Sequence, residues 1–141
     1  MLDFKYGHAS ALVGSLPVDT GVVIVDGQWT VFDTTTGKLK KQSGAYDAAT
    51  QGVALQAYGG NDVRFDTQAL KVVSVALGKS YVGVTDQFAS VTINPGDPLT
   101  LQDGVITKAT LTGTGAVAST AVIGYALSAN ATGGSLTFTK A

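Results

Sequence analysis

The chain has 141 residues, 13% of them charged, with a formal net charge of −1 and no cysteine. That length suits one domain able to bury about 68–70% of its unfolded surface, and the lack of cysteine excludes disulfides, thiolate metal sites and a Cys nucleophile together. So sparse and balanced a charge offers no field for nucleic acid or anionic lipid, and a charged share below the usual quarter or so points to a surface of small polar residues or one covered by assembly.

In chain order, Met1-Leu2-Asp3-Phe4-Lys5 lacks the basic start and apolar core of a signal peptide. No apolar run approaches the roughly 20 residues of a membrane span. The expectation is synthesis in a cytoplasm, without export by that route and without a membrane partner. Gly7, Gly14, Pro17 and Gly21 interrupt the first residues, so residues 1–20 read as an arm ordered by a partner. Leu2, Phe4 and Tyr6 would share one strand face, the anchors if that arm adds to a partner's sheet edge. His8 to Val13 would make under two helical turns.

Beyond the arm, Val22–Val25, Trp29–Phe32, Leu70–Val75 and Ser135–Thr139 are β-branched or alternating runs of strand length. Asp26-Gly27 and Asp103-Gly104 carry the residue chemistry of two-residue hairpin turns. Lys38, Lys40 and Lys41 follow Thr34-Thr35-Thr36-Gly37. They read as an edge strand protected by lysines, with Lys38 and Lys40 on one face as candidate contacts for an acidic neighbour. No segment offers 12 residues of helical period. The fold class is therefore all-β, a small barrel or sandwich over residues 21–141.

An internal repeat organises that domain. Residues 23–33 (VIVDGQWTVFD) parallel residues 92–103 (TINPGDPLTLQD), and residues 52–57 (GVALQA) parallel residues 124–129 (GYALSA). Glycine turns and further strands follow each, at Val63-Arg64-Phe65 and Leu136-Thr137-Phe138. Two degenerate copies of one β unit are expected, over residues 22–65 and 91–138, with Gly52 and Gly124 in equivalent places.

Sites of chemistry are sparse. His8 is the single histidine, and the ten acids are scattered aspartates, most beside Gly, Pro or Thr where a short side chain caps turns. No Gly-x-Ser-x-Gly elbow exposes a nucleophile. Tyr58-Gly59-Gly60-Asn61-Asp62-Val63 is one fragment of a calcium-binding nonapeptide, a mechanism that needs stacked copies, and a hairpin turn is the plainer reading. Asn130-Ala131-Thr132 matches a glycosylation sequon but reads as a turn without export. The expectation is no enzyme, no metal and no cofactor.

Pro95-Gly96-Asp97-Pro98-Leu99-Thr100-Leu101, Gly104-Val105-Ile106-Thr107-Lys108-Ala109 and Ala121-Val122-Ile123-Gly124-Tyr125-Ala126-Leu127-Ser128-Ala129 together resemble the capsid decoration (head-stabilising, or cement) proteins of tailed bacteriophages. That family shows a Gly-Asp-Pro-Leu turn, a variable hairpin, a Val-x-Gly-x-Ala-Leu strand and a closing strand in this order. The resemblance covers residues 91–141 and, through the repeat, more faintly 22–65. It implies a virion structural protein bound to the exterior of an expanded capsid, often as a homotrimer, with the major capsid protein as partner. Leu2, Phe4, Tyr6, Lys38 and Lys40 would be its coat-protein contacts. Phe4-Lys5-Tyr6-Gly7, Ala11-Leu12 and Asp33-Thr34-Thr35-Thr36-Gly37-Lys38-Leu39 are also similar to openings of phage fibre proteins. The alternative is thus a head or tail fibre module binding a carbohydrate or receptor, with aromatics drawn from Trp29, Tyr46, Tyr58, Tyr81 and Tyr125.

Overall fold

Short β-branched runs punctuated by glycine leave the backbone little choice but to pair its amides between strands. A computed structural model describes residues 2–6, 13–19, 21–47, 50–55, 72–77, 81–130 and 134–141, with the backbone alone for 2–6, 13–15, 51, 72 and 73. Its strands are β1 (Leu2–Tyr6), β2 (Val13–Pro17), β3 (Trp29–Phe32), β4 (Leu39–Lys41), β5 (Thr50–Ala54), β6 (Val72–Ala76), β7 (Tyr81–Thr85), β8 (Pro98–Gln102), β9 (Val105–Lys108), β10 (Gly124–Ala126) and β11 (Leu136–Lys140). They form two antiparallel sheets in a sandwich-like arrangement, one ordered β1-β7-β11-β10-β8-β9 and the other β2-β6-β5-β3-β4. Among the described residues the helical content is one 3₁₀ turn, Ser119–Ala121. The protein is all-β.

The two sheets share one strand order. Counted along the chain, β2–β6 and β7–β11 each run first, fifth, fourth, second, third across their sheet, and β1 adds outside β7. Local hydrogen bonds match too. The Gly27 amide donates to the Ala54 carbonyl and the Gly96 amide to the Ala126 carbonyl, both at 2.8 Å. Leu55 donates to Ser74 as Leu127 donates to Thr137, again at 2.8 Å. Gln28 Oε1 accepts from the Val25 amide, and Asp97 Oδ2 from the Asn94 amide. Gly52 lies opposite Thr30, and Gly124 opposite Leu99. A Cβ on either glycine would collide with a backbone carbonyl, that of Ala76 or Thr139. Residues 56–65, the end of the first expected repeat, lie outside the described part.

Each sheet presents one face to its own apolar cluster. Val18, Ile24, Leu39, Ala54 and Val75 form one. Ile93, Leu99, Leu101, Ile106, Ala126, Leu136 and Phe138 belong to the other, which Trp29, Val53 and Ala76 complete from the opposite face of the five-stranded sheet. The first half therefore lays one sheet face on the inner face of the second.

Three expectations meet a different geometry. Val22–Val25 is reduced from the expected strand to a single β-bridge at Ile24, which is buried while Val23 and Val25 are exposed. The Gly27 bond to Ala54 and the Gln28 side-chain bond to Val25 hold this segment beside the first cluster, to which Ile24 belongs. Asp26-Gly27 is accordingly a turn without paired strands, whereas Asp103 and Gly104, at φ 53° and 80°, make the β8–β9 hairpin turn. Residues 1–20 supply two edge strands of the protein itself: β1 pairs with β7, and β2 pairs with β6. His8 and the Tyr58–Val63 fragment lie outside the described residues.

Candidate functional site

The lysine cluster sits where the sheet ends. β4 is an edge strand, and Lys38 stands exposed just before it. Asp33, leaving β3, accepts from the Thr35 amide at 2.8 Å and from Lys40 Nζ at 3.3 Å. The Thr35 bond first, and Lys40 second, hold the Asp33 carboxyl below its ordinary pKa. Lys40 thus has an ion-pair partner in its own sheet, whereas Lys38 stands exposed. Beside them a groove of about 420 Å³ is lined by Asp33, Thr34, Lys40, Gln42, Ser43 and Asp47 among others. It offers hydrogen-bonding groups, and among the described residues no three His, Cys, Asp or Glu side chains come together as a metal site.

The halves are locked at one point. Gln42 is fully buried. Its Nε2 donates to the carbonyls of Ser43, Gly44 and Ala45, and its Oε1 accepts from the Gly104 amide at 2.6 Å. Around it the Trp29 amide donates to Gly104 O, and Asp103 Oδ1 accepts from the Gly44 amide at 2.7 Å. That backbone bond, with Gln102 after it, lowers the Asp103 pKa. One hairpin turn of the second half is therefore held in a socket of the first. Sequence reading missed Gln42, since a glutamine after two lysines looks like a solvated face.

A small apolar patch lies elsewhere on the surface. Tyr125 on β10 and Leu127 beyond it are 46% and 50% exposed on the outer face of the six-stranded sheet. Thr139 of β11 and Pro98 of β8 lie opposite Tyr125. Of the other aromatics named for a binding groove, Trp29 and Tyr81 are buried and Tyr46 is half-buried. Tyr81 packs edge-on to Phe138, with ring centroids 6.2 Å apart. Tyr58 lies outside the described residues. Of Leu2, Phe4 and Tyr6 only the backbone is described, and it is an edge strand whose partner is β7.

No family model matches the chain, and no curated protein matches it at a significant level. No helix among the described residues is long and apolar enough to cross a membrane.

Proposed function

We propose that the protein is a non-enzymatic virion component that binds the outer surface of a mature bacteriophage capsid and stabilises it by bridging coat subunits. One observation carries this reading. The segments that resemble decoration proteins build a single unit: Gly96 and Asp97 turn the chain into β8, and Gly124–Ala126 is β10, paired directly on it. Asp97 fits that role locally. Its carboxylate accepts from the Asn94 amide and meets Lys108 Nζ at 3.0 Å, which together lower its pKa and fix the turn. The proposal includes a homotrimer, the major capsid protein as partner, and β1 with the Lys38 edge as coat contacts.

The mechanism is thermodynamic. A ligand that binds only the expanded lattice stabilises it by RT ln(1 + [L]/Kd), about 2.7 kcal/mol per site at a hundredfold excess over Kd. Repeated over many sites, this resists internal genome pressure without a catalytic group. The test is cosedimentation with expanded and unexpanded capsids stripped of their own decoration protein. Selective binding to expanded shells, with a raised shell melting temperature, is expected. Equal binding to both shells, or to neither, defeats the reading. The fibre reading rests on the polar groove beside Asp33 and Lys40, and a glycan array with the same protein decides it.

A further inference from the structure

The two halves share a strand order but not a hairpin. β8 and β9 are joined by Asp103-Gly104 alone, whereas the matching strands of the first half, β3 and β4, are joined by residues 33–38. The second half shows that the sheet needs only the short turn, and insertions into one copy of a repeated unit commonly mark a binding face. This one is firmly built. The Asp33 amide donates to the Lys38 carbonyl, the Gly37 amide to the Asp33 carbonyl, and Thr36 Oγ1 to Asp19 Oδ2 at 3.0 Å.

The inserted residues Asp33, Thr34 and Thr35 line the groove of about 420 Å³, together with residues of β3, β4 and the chain beyond β4. That volume lies within the roughly 300–1,000 Å³ of small-molecule sites.

The lining narrows the ligand chemistry. Asp33 and Lys40 meet at 3.3 Å, with side chains 24% and 45% exposed. A charged ligand would have to displace one of them from the other. Asp47, the remaining charged group of the lining, is also engaged, and an anion would face two carboxylates against one ammonium. Among the described residues no three His, Cys, Asp or Glu side chains come together to hold a metal ion. A neutral ligand rich in hydroxyls displaces nothing. The Asp33 carboxylate accepts from the Thr35 amide at Oδ1 and from Lys40 at Oδ2, which leaves it lone pairs for about two more bonds. Lys40 likewise keeps N–H donors beyond the one that Asp33 takes. Thr34 and Ser43 add exposed hydroxyls, and half-buried Phe32 adds an apolar surface for the C–H face of a sugar ring.

We propose that this groove binds a neutral saccharide, a mono- or disaccharide unit held by Asp33, Lys40, Thr34 and Ser43 against Phe32. The proposal gives the carbohydrate reading a site. It stands beside capsid binding and is tested without capsids, so the two fail separately.

The test is titration of the isotope-labelled full chain, followed by amide NMR, with glucose, galactose and mannose, their methyl glycosides and disaccharides, and the matching uronic acids. Saturable shifts at Phe32, Thr34, Lys40 and Ser43 are expected with at least one neutral sugar, and its uronic acid is expected to bind at least tenfold more weakly. Asp33→Asn and Lys40→Met are each expected to weaken binding at least tenfold. So is Ser43→Trp, which fills the groove from an exposed position without touching the ion pair and is expected to keep the wild-type melting profile. Tyr125→Ala, which removes the exposed aromatic ring of the six-stranded sheet, is expected to bind within about twofold of wild type. No saturable shift with any neutral sugar up to its solubility overturns the proposal. So do shifts centred away from the groove, loss of binding in Tyr125→Ala, full binding by Asp33→Asn or Ser43→Trp, or an acid bound as tightly as its neutral parent.

Discussion

Replacing Gln42 by alanine tests the lock between the halves. The substitution removes the acceptor of the buried Gly104 amide and the donor to three carbonyls. Ser43 and Ala45 are exposed and Gly44 is half-buried, so their carbonyls regain water at little cost. The Gly104 amide does not. A buried donor left unsatisfied costs about 1–3 kcal/mol, and the space vacated by a fully buried side chain adds about 1 kcal/mol more. The expected loss is about 2–4 kcal/mol, a fall in melting temperature of about 6–12 °C at this chain length. Urea unfolding followed by tryptophan fluorescence is the assay, because Trp29 lies at the same junction. Gln42→Glu adds a sharper test. It sets a carboxylate against three carbonyl oxygens, so its folded pKa rises above the unfolded value of about 4.3. The variant should stand closest to wild type below that pH and lose stability, relative to wild type, as pH rises through and above it. Stability of Gln42→Ala within about 0.5 kcal/mol of wild type, or a Glu variant with no such pH trend, would refute the lock.

Gly52→Ala and Gly124→Ala should each destabilise by about 1–3 kcal/mol through the clash with the facing carbonyl, read by thermal melts. Gly96→Ala, which meets open space at φ 89°, should cost about 1 kcal/mol from backbone strain. Asp33, Asp97 and Asp103 have lowered pKa values. Their stabilisation is present above the unfolded pKa of about 3.9 and lost as pH falls through the lower folded values; a triple Asp→Asn chain should flatten that acid limb in urea titrations. Deleting residues 1–6 removes one outer strand and should leave both sheets folded, whereas deleting residues 1–20 also strips β2 from β6 and should lower the melting temperature markedly in circular dichroism. Equal melting of the two truncations would contradict the strand assignment of residues 13–17.

Much of the fold was legible because strands and turns are local. Trp29–Phe32 is a run of β-branched and aromatic residues and is β3 as read; Asp103-Gly104 supplies two positive-φ residues and closes the hairpin. Val22–Val25 misled because alternation reports which side chains are buried and says nothing of a ladder partner. Ile24 is buried at a single β-bridge position, outside the named strands. Gln42 was illegible for a different reason: its burial comes from a hairpin 62 residues away. The Lys40–Asp33 pair was equally hard to read, since Asp33 lies seven residues earlier, just past the end of the paired strand.

The fate of Val53 and Tyr125 shows where local reading must stop. They sit on β5 and β10, which hold the same place in the order of their two sheets, each next to a glycine that no larger residue can replace without displacing a carbonyl. Their local sequences, Gly52-Val53-Ala54-Leu55 and Gly124-Tyr125-Ala126-Leu127, ask for the same strand and receive it. What differs is stacking. The first half has the second beneath it and buries its valine; the second half leaves its tyrosine 46% exposed. A leucine beside an exposed tyrosine gains nothing from water, at about 25 cal/mol for each Å² of apolar surface left uncovered. An order of stacking, not a motif, therefore sets which of these two matching positions is buried and which is exposed.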